Sequence, residues 1–268
     1  MSSFEMIEVS VDASGAARLV LNRPAAKNAM SQPLMRELGT AAAQLAQDER
    51  VRVIVLTGAG EVFSAGGDLK GMQHQAANTR EGRIADATEF ANILADLDAL
   101  AKPVIGRING SAFGGGLGLI SICDIAIGLV DATFRLSEVT LGLIPATISP
   151  YVVAKMGVPN TRRIMLNAYK MDGNDAARLG LLDDVVPTIA ELDEAIEREV
   201  AAALQCAPGA VANAKKLIRY TSTHNAMENL AYTAKALADA WETAEIKEGI
   251  DAFFNKRKPN WQAGPGFP

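Results

Sequence analysis

The sequence has few of the residues on which several classes of protein depend. It contains two cysteines and two histidines in 268 residues, and aromatic residues make up 5%. Cys123 and Cys206 have neither the spacing of a metal site nor the density of a disulfide-stabilised fold, so we expect both to be core thiols. His74 and His224 stand in no context typical of a serine hydrolase. Because no cluster of histidines and carboxylates has metal-ligand spacing, we expect no metal site.

The chain also lacks a surplus of positive charge and a long apolar run. Its 26 basic and 31 acidic residues give a net charge of −5, which argues against a nucleic-acid partner. No stretch approaches the roughly 18 uninterrupted apolar residues of a membrane helix. The first five residues contain no cationic start before an apolar segment, so we expect no signal peptide. These absences predict a cytoplasmic protein that acts on small molecules, without a membrane or a nucleic acid as partner.

The sequence does have the length for a full core and an alternation of strands and helices. Hydrophobic residues make up 49% of it, as in an ordinary globular protein. Apolar runs that predict strands occur at 17–22, 51–56 and 104–108. A helix is predicted after the first of them, since Ser31 can cap it and Pro33 suits its first turn. This alternation predicts an α/β fold of stacked β/α units.

The last quarter of the chain is nearly continuous helix in composition. Helices are predicted at 195–204, 210–220 and 227–241, with a break at Pro208 and Gly209. The small residues of these helices suit close packing, either on the rest of the chain or on a second subunit, and both possibilities stay open. We therefore divide the chain into a core of residues 1–195 and a C-terminal helical region of residues 196–268.

Two glycine-rich segments are the clearest indication of chemistry. Residues 63–70 read Phe-Ser-Ala-Gly-Gly-Asp-Leu-Lys, and residues 111–119 read Ser-Ala-Phe-Gly-Gly-Gly-Leu-Gly-Leu. Both follow apolar runs, and glycine lets the backbone approach a ligand closely. Since few side chains are available there, the chemistry would come from paired backbone N–H groups aimed at a developing negative oxygen. The pattern predicts an oxyanion hole and not a phosphate-binding loop.

Together these motifs resemble those of the crotonase (enoyl-CoA hydratase/isomerase) family, and the resemblance covers essentially the whole chain. It also rests on residues 21–24 followed by 27–30, on 123–124, on 136–138 with 141–145, and on the tail 249–258. It implies the crotonase fold, a spiral of ββα units with a C-terminal helical trimerisation region that forms trimers or pairs of trimers. It further implies an acyl-CoA thioester as substrate and no separate cofactor, because coenzyme A is part of the substrate.

The resemblance assigns the chemistry position by position. The oxyanion-hole donors would be the backbone N–H groups of Gly67 and Gly115. Glu138 matches one of the two glutamates that the best-known hydratases place around the reacting double bond, and it is the predicted catalytic residue. A carboxylate buried beside an acyl chain would have a raised pKa, which suits a group that takes and gives a proton. Gly118 stands where the other glutamate would be, and we expect it to leave space for a branched or longer acyl group.

Coenzyme A contacts are implied in two parts of the chain. Lys27 matches a basic residue near the nucleotide phosphates. The segment that would line the adenine and pantetheine contains Ala65, Gly67, Asp68, Leu69 and Lys70. Phe253 and Lys256 match residues that reach coenzyme A from the C-terminal helix of the same or a neighbouring subunit. For Asp68 we expect a structural role as well, with its carboxylate capping the helix that follows.

A finer resemblance concerns the substrate. Residues 118–128 and 143–153 are similar to bacterial 3-methylglutaconyl-CoA hydratases, whose branched substrate carries a second carboxylate. Thr147, Ser149 and Tyr151 are candidates to meet that carboxylate. The prediction is a lyase that adds water to a branched 2-enoyl-CoA in leucine or isoprenoid breakdown. Two alternatives stay open: a Δ3,Δ2-enoyl-CoA isomerase that moves one proton through Glu138, and a family member that binds CoA esters or RNA without turnover.

Overall fold

The computed structural model describes residues 4–262, and the side chain of Leu69 lies outside that description. In this range the strands are β1 (Ile7–Val11), β2 (Ala16–Leu21), β3 (Val53–Gly58), β4 (Val62–Ser64), β5 (Val104–Ile108), β6 (Ser111–Phe113), β7 (Ile125–Leu129), β8 (Phe134–Arg135) and β9 (Asp184–Val186). The helices are α1 (Gln32–Gln47), α2 (Leu69–Ala77), α3 (Arg80–Asp98), α4 (Gly115–Ser121), α5 (Ser149–Met165), α6 (Gly173–Arg178), α7 (Ile189–Leu204), α8 (Pro208–Thr221), α9 (Ala226–Trp241) and α10 (Ala244–Phe254).

The strands form two sheets, and from β3 to β8 they alternate between the two along the chain. The larger sheet has the order β1-β2-β3-β5-β7-β9, and all of its pairs are parallel except β1 with β2. The smaller sheet has the order β4-β6-β8 and is parallel throughout. Each of β3, β5 and β7 is followed directly by a strand of the smaller sheet, so the architecture repeats. The predicted α/β alternation is confirmed, and the short strands β4, β6 and β8 are additions to it.

The larger sheet is covered on both faces, as the period-two alternation along β3 requires. Ile54 and Leu56 pack in the core that contains α1, whereas Val53 and Val55 pack against α7. Helix α1 begins as predicted, because the Ser31 hydroxyl accepts a hydrogen bond from the N–H of Leu34. The core therefore fixes the carboxyl ends of the strands, from which the glycine-rich segments extend.

The boundary predicted between residues 195 and 196 falls inside α7. Ala195 and Ile196 are both buried against the larger sheet together with Leu192, so α7 is a layer of the core. Helices α8 to α10 follow α7, and hydrogen bonds from Arg52, just before β3, hold the segments that flank them. The Arg52 guanidinium donates hydrogen bonds to the carbonyl oxygens of Cys206 and Trp261 at 2.7 and 3.0 Å.

The C-terminal helices expose apolar side chains. On α9, four large apolar residues are each more than half exposed, namely Met227, Leu230, Leu237 and Trp241. The expectation of two core thiols is half wrong, because Cys123 is buried but Cys206, in the turn after α7, is exposed. Within residues 4–262, none of the helices combines the length and apolarity needed to cross a membrane.

Candidate functional site

The two glycine-rich segments meet where β4 and β6 end. These strands pair in parallel, with Ser64 opposite Ala112. Gly66 then adopts a φ of +83°, and a Cβ on it would lie 2.6 Å from the carbonyl oxygen of Phe113. Only glycine allows this conformation and this approach, so it brings Gly67 and Gly114 to one side of the smaller sheet.

A third segment, residues 27–30, completes the backbone framework of the site. The N–H of Met30 donates to the carbonyl oxygen of Gly66 at 2.7 Å, and the N–H of Asp68 donates to that of Met30 at 3.3 Å. Gly67 is thereby held between two hydrogen bonds to one residue. The N–H of Ala65 donates to the carbonyl oxygen of Lys27 at 2.8 Å, which extends the pairing toward the start of the segment.

Asn28 fixes that third segment from beneath. It is fully buried and has a φ of +52°, which asparagine adopts more readily than most residues. Its side-chain oxygen accepts from the N–H of Arg23 at 2.9 Å. Its amide nitrogen donates to the carbonyl oxygens of Ala59 and Val62, both at 2.8 Å. Because these partners flank the turn between β3 and β4, Asn28 sets the position of the loop against the smaller sheet.

The N–H groups of Gly67 and Gly115 are both available to a ligand. In the described part of the chain neither donates a hydrogen bond, and Gly115 is the first residue of α4, where backbone N–H groups lack helical partners. Gly67 is exposed, and an added Cβ would meet nothing within 4 Å. Gly115 is covered, since an added Cβ would overlap the Met30 methyl group and lie 3.7 Å from Phe90. Two unengaged donors thus lie on the two glycine-rich segments, one open and one under an apolar side chain.

Glu138 brings a carboxylate to the same place. It begins the short helical turn Glu138–Leu141 after β8. Gly114 has a φ of +50°, and a Cβ on it would lie 3.1 Å from Oε1 of Glu138. Oε2 is buried and has no hydrogen-bond partner among the described residues. Burial raises the pKa of Glu138, partly offset by the backbone N–H groups of Glu138 and Ser137. A carboxylate with a raised pKa is suited to taking up and releasing a proton.

The space expected beside Gly118 is absent, and that expectation is wrong. Gly118 lies within α4 and is buried. A Cβ on it would overlap Cγ2 of Ile148 and lie 2.8 Å from Cβ of the same residue. The position is therefore filled by an isoleucine side chain, and the missing glutamate has not left a cavity for an acyl branch.

Asp68 serves as an ionised helix cap. Its Oδ1 accepts hydrogen bonds from the N–H groups of Lys70 and Gly71 at the start of α2, which confirms the predicted capping role. Its Oδ2 lies 3.0 Å from Nη2 of Arg23, whose Nη1 donates to the carbonyl oxygen of Ala29. Burial acts to raise the pKa of Asp68, but the bonds from Arg23 and the backbone outweigh it and lower that pKa. Asp68 is accordingly suited to holding structure rather than to moving protons.

The predicted coenzyme A contacts fall into two groups. Lys27, Ala65, Gly67, Asp68 and Lys70 lie on paired segments, with both lysines exposed. Phe253 and Lys256 lie at the end of α10, exposed, and the phenyl ring of Phe253 packs edge-on against that of Phe254. Within residues 4–262 no hydrogen bond or ion pair joins this second group to the first. The side chain of Leu69 lies outside the described residues, and all of these contacts stay predictions.

Several residues of the site were missed from the sequence. Asn28 and Met30 belong to the segment 27–30, which carries part of the family resemblance, so their position in that segment could have indicated them. Arg23 belongs to the segment 21–24 of the same resemblance, and its partner Asp68 lies 45 residues away. For Phe90 and Ile148 there is no sequence pattern that indicates contact with positions 115 and 118 of α4.

Cleft volume does not locate the site. A cleft of about 960 Å³ lies between β1, β2 and α7, away from both glycine-rich segments. Its Arg107 is paired with Asp193 at 2.6 Å and also contacts Thr57, so these groups are occupied. In the described range no three His, Cys, Asp or Glu side chains converge as metal ligands would. Unengaged donors and an unpaired carboxylate mark the site better than cleft size does.

Comparisons with known proteins agree with one another. The profile described as enoyl-CoA hydratase/isomerase matches residues 12–264. The chain is 39% identical over 247 residues to the enoyl-CoA hydratase ACTT6 of Alternaria alternata, which covers 90% of this chain and 78% of that protein. It is 30% identical over 257 residues to a probable enoyl-CoA hydratase of Bacillus subtilis, covering 96% and 98%. The crystal structure of an enoyl-CoA hydratase from Shewanella pealeana matches with a TM-score of 0.92 at 36% identity, covering 96% of each chain.

Proposed function

Because this chain belongs to the enoyl-CoA hydratase/isomerase family, we propose that it adds water across the double bond of a 2-enoyl-CoA thioester. Its fold is the crotonase fold, as predicted, since its structural neighbours are enoyl-CoA hydratases with TM-scores near 0.9. The observation that carries the proposal is the buried Oε2 of Glu138, which has no hydrogen-bond partner among the described residues, in a carboxylate that lies against the glycine-rich segment with an unengaged N–H. That combination serves an enzyme and has no evident structural use.

In this proposal the thioester oxygen lies between the N–H groups of Gly67 and Gly115. As the substrate becomes enolate-like, negative charge collects on that oxygen, and two fixed donors stabilise it without reorganisation. Losing one well-placed donor typically costs about 3 to 4 kcal/mol in the transition state. The support is the absence of competing acceptors for both N–H groups within the described residues.

Glu138 is proposed to carry the proton transfer. Its ionised carboxylate takes a proton from water while the water oxygen bonds to C3 of the substrate, and the pair of electrons moves onto the thioester oxygen. The enolate then collapses and C2 takes the proton back from Glu138. Water is consumed and the carboxylate is regenerated, so one residue with a raised pKa suffices for both steps.

For the acyl group we propose a branched chain, with 3-methylglutaconyl-CoA as the named candidate. The support is the similarity of residues 118–128 and 143–153 to hydratases of that substrate. Of the three candidates for its second carboxylate, Ser149 already donates to the carbonyl oxygen of Ala146 at 2.8 Å. Burial and the negative charge of Asp98 raise the pKa of Tyr151, so an added carboxylate near its hydroxyl would meet like charge. Of the three we therefore propose Thr147.

The coenzyme A moiety is proposed to lie along residues 27 and 65–70, with Lys27 near its nucleotide phosphates and Lys70 in the segment that lines its adenine and pantetheine. Both ammonium groups are exposed and make no ion pair within the described residues. Phe253 and Lys256 are proposed to contact it from the same or a neighbouring subunit. Lys27→Ala and Lys256→Ala should each raise KM more than they lower kcat, and Lys235→Ala on α9 is a matched surface control.

We also propose a homotrimer or a pair of trimers. The support is the exposed apolar set on α9, with Met227, Leu230, Leu237 and Trp241 spaced to lie along one side of a helix. Light scattering after size exclusion should give a mass of three or six chains. Leu230→Glu with Leu237→Glu should lower that mass, whereas the neighbouring exposed change Lys235→Glu should not.

Incorporation of solvent oxygen tests the function directly. The protein is incubated with crotonyl-CoA or 3-methylglutaconyl-CoA in oxygen-18 water, and the masses of the products are measured by mass spectrometry. A labelled 3-hydroxyacyl product that disappears in Glu138→Gln is expected, with Glu194→Gln, an exposed glutamate of α7, as the matched control. Turnover unchanged in Glu138→Gln would refute the assigned role.

A second candidate is a Δ3,Δ2-enoyl-CoA isomerase. The observation that favours it is the filled position at Gly118, because a shift of one proton needs only one carboxylate. An isomerase would convert a 3-enoyl-CoA to the conjugated ester without taking oxygen-18 into the product. Absence of label with both 2-enoyl substrates, together with conversion of the 3-enoyl ester, would select this candidate.

A further inference from the structure

Position 118 lies in α4, the helix that begins at Gly115. Gly115 and Gly118 are three residues apart in this helix, so side chains at these positions would lie on the same face. Gly115 carries one proposed oxyanion donor. The family resemblance assigns position 118 to the second glutamate of the best-known hydratases, so what fills this position bears on the proton transfer.

Ile148 closes that position completely. It precedes α5 directly and is 2% exposed. The Cβ of Ile148 would lie 2.8 Å from a Cβ at position 118, and Cβ does not move when the side chain rotates about χ1. Because isoleucine is also branched at that atom, no rotamer of it clears the space. Even alanine at position 118 requires a shift of α4 or of the start of α5.

We propose that Ile148 is a specificity-determining residue: it occupies the volume of a second proton-transfer group, so that Glu138 carries every proton transfer at this site. The proposal rests on the hydratase or isomerase function proposed above and deepens it. It differs from the sequence-based expectation for Gly118, since the position is filled with hydrocarbon instead of left open.

The surroundings of Glu138 agree with a site of one carboxylate. Its carboxylate lies against Gly114, and none of the described acidic or basic side chains forms an ion pair with it. The raised pKa of Glu138 has burial as its main cause and no charged neighbour among its causes. No second acid in the described residues is placed to share the proton.

Both candidate reactions balance with one carboxylate. In hydration the proton that leaves water passes through Glu138 to C2 while the hydroxyl adds to C3. In isomerisation the proton leaves C4, passes through Glu138 and arrives at C2, and the double bond moves by one position. Since the free enzyme must have Glu138 ionised in either case, the proposal predicts one acid limb in kcat/KM against pH and no alkaline limb from a second carboxylic acid.

The experiment combines a pH profile with paired variants of positions 118 and 148. Wild type, Ile148→Gly, and the double variant Gly118→Glu with Ile148→Gly are assayed from pH 5 to 9 on crotonyl-CoA and on a 3-enoyl-CoA. Glycine is used at position 148 because alanine would keep the Cβ that lies 2.8 Å from a Cβ at position 118. We expect one limb of unit slope for wild type and for Ile148→Gly. The double variant should gain an alkaline limb and hydrate at least tenfold faster than Ile148→Gly. Ile164→Ala, which truncates another buried isoleucine of α5, is the control for loss of packing.

Alanine variants keep the proposal testable if the glutamate variant does not fold. Gly118→Ala should lower the thermal midpoint and kcat/KM, and adding Ile148→Gly should restore part of both. Gly39→Ala is the matched control in α1, because its Cβ comes no closer than 3.2 Å to Ile93. A bell-shaped profile for wild type, or Gly118→Ala indistinguishable from wild type, overturns the proposal. If wild type converts neither substrate class, the proposed function fails instead, and the rescue of the thermal midpoint of Gly118→Ala by Ile148→Gly still decides whether Ile148 fills the position.

Discussion

Replacement of Asn28 tests how the third segment holds the site. Asn28 is fully buried in a left-handed conformation, and its side chain makes three hydrogen bonds to backbone groups of Arg23, Ala59 and Val62. Asn28→Ala removes all three bonds and places alanine at a φ of +52°. Asn28→Gly removes the same bonds but tolerates that φ. The two variants therefore separate the hydrogen-bond contribution from the backbone contribution.

The expected magnitudes follow from those contacts. Three hydrogen bonds at about 1 kcal/mol each make the shared loss about 3 kcal/mol in the free energy of unfolding. The left-handed conformation costs a non-glycine residue about 1 to 2 kcal/mol, and the greater flexibility of glycine in the unfolded chain returns about 0.5 to 1 kcal/mol of that difference. Asn28→Ala should thus lose about 4 kcal/mol and Asn28→Gly about 3 kcal/mol. The glycine variant should be the more stable, the reverse of the usual order inside helices and strands.

Urea unfolding at one fixed protomer concentration measures both losses, because a concentration difference would itself shift the stability of an oligomer. Asn28→Gly should also have a lower kcat, since Met30 and Gly67 are positioned by the segment that it anchors. A loss below 1 kcal/mol for Asn28→Ala, or an alanine variant more stable than the glycine variant, would refute the reasoning about this loop.

Three further predictions concern charged groups. Burial raises the pKa of Glu138 from its ordinary 4.5, so the ionised form of this residue weakens the fold. In urea, the free energy of unfolding of Glu138→Gln should match that of wild type near pH 4 and exceed it as pH rises through the raised pKa. A difference independent of pH would contradict this. Asp68→Asn keeps a cap acceptor whereas Asp68→Ala does not, so the alanine variant should unfold more easily by about 1 kcal/mol, and equal midpoints would count against the cap. Arg52→Met should lose about 3 kcal/mol in the free energy of unfolding and expose the C-terminal helices to protease. The control Arg50→Met breaks only an exposed ion pair with Asp48 and should change that free energy by about 0.5 kcal/mol or less. Similar losses in both variants would refute the role of Arg52.

The parts of the fold that could be predicted are those with a local cause. The cap at Ser31, the strand Val53–Gly58 and the helix Ala226–Trp241 follow from periodicity and end chemistry over a few residues. The smaller sheet could not be predicted in this way, because β8 has two residues and depends on pairing with β6, about 20 residues earlier. Its existence is a property of the parallel arrangement and not of its own sequence.

In the site, too, features with a local cause could be predicted and features that depend on distant residues could not. Both glycine-rich segments and Glu138 stand in motifs, so their residues were identified, although their proposed roles stay predictions. The residue that fills the space beside Gly118 could not be predicted, because Ile148 lies 30 residues later in the sequence. Isoleucine before a helix also has no distinguishing pattern. The exposure of Cys206 was likewise missed, because a lone cysteine in an alanine-rich stretch resembles a core residue until the turn after α7 is placed.

The two glycines that offer the proposed oxyanion donors differ in how they would respond to mutation over evolutionary time. At Gly67 a side chain meets nothing within 4 Å, so the fold itself tolerates substitution there. At Gly115 an added Cβ overlaps the terminal methyl group of Met30, so a side chain there requires that flexible methionine to turn away, whereas Phe90 at 3.7 Å is in ordinary contact. A lineage could therefore vary residue 67 freely while keeping the donor, because the donor is main chain. Substitution at 115 would also keep the donor, but it would move the Met30 side chain that covers it.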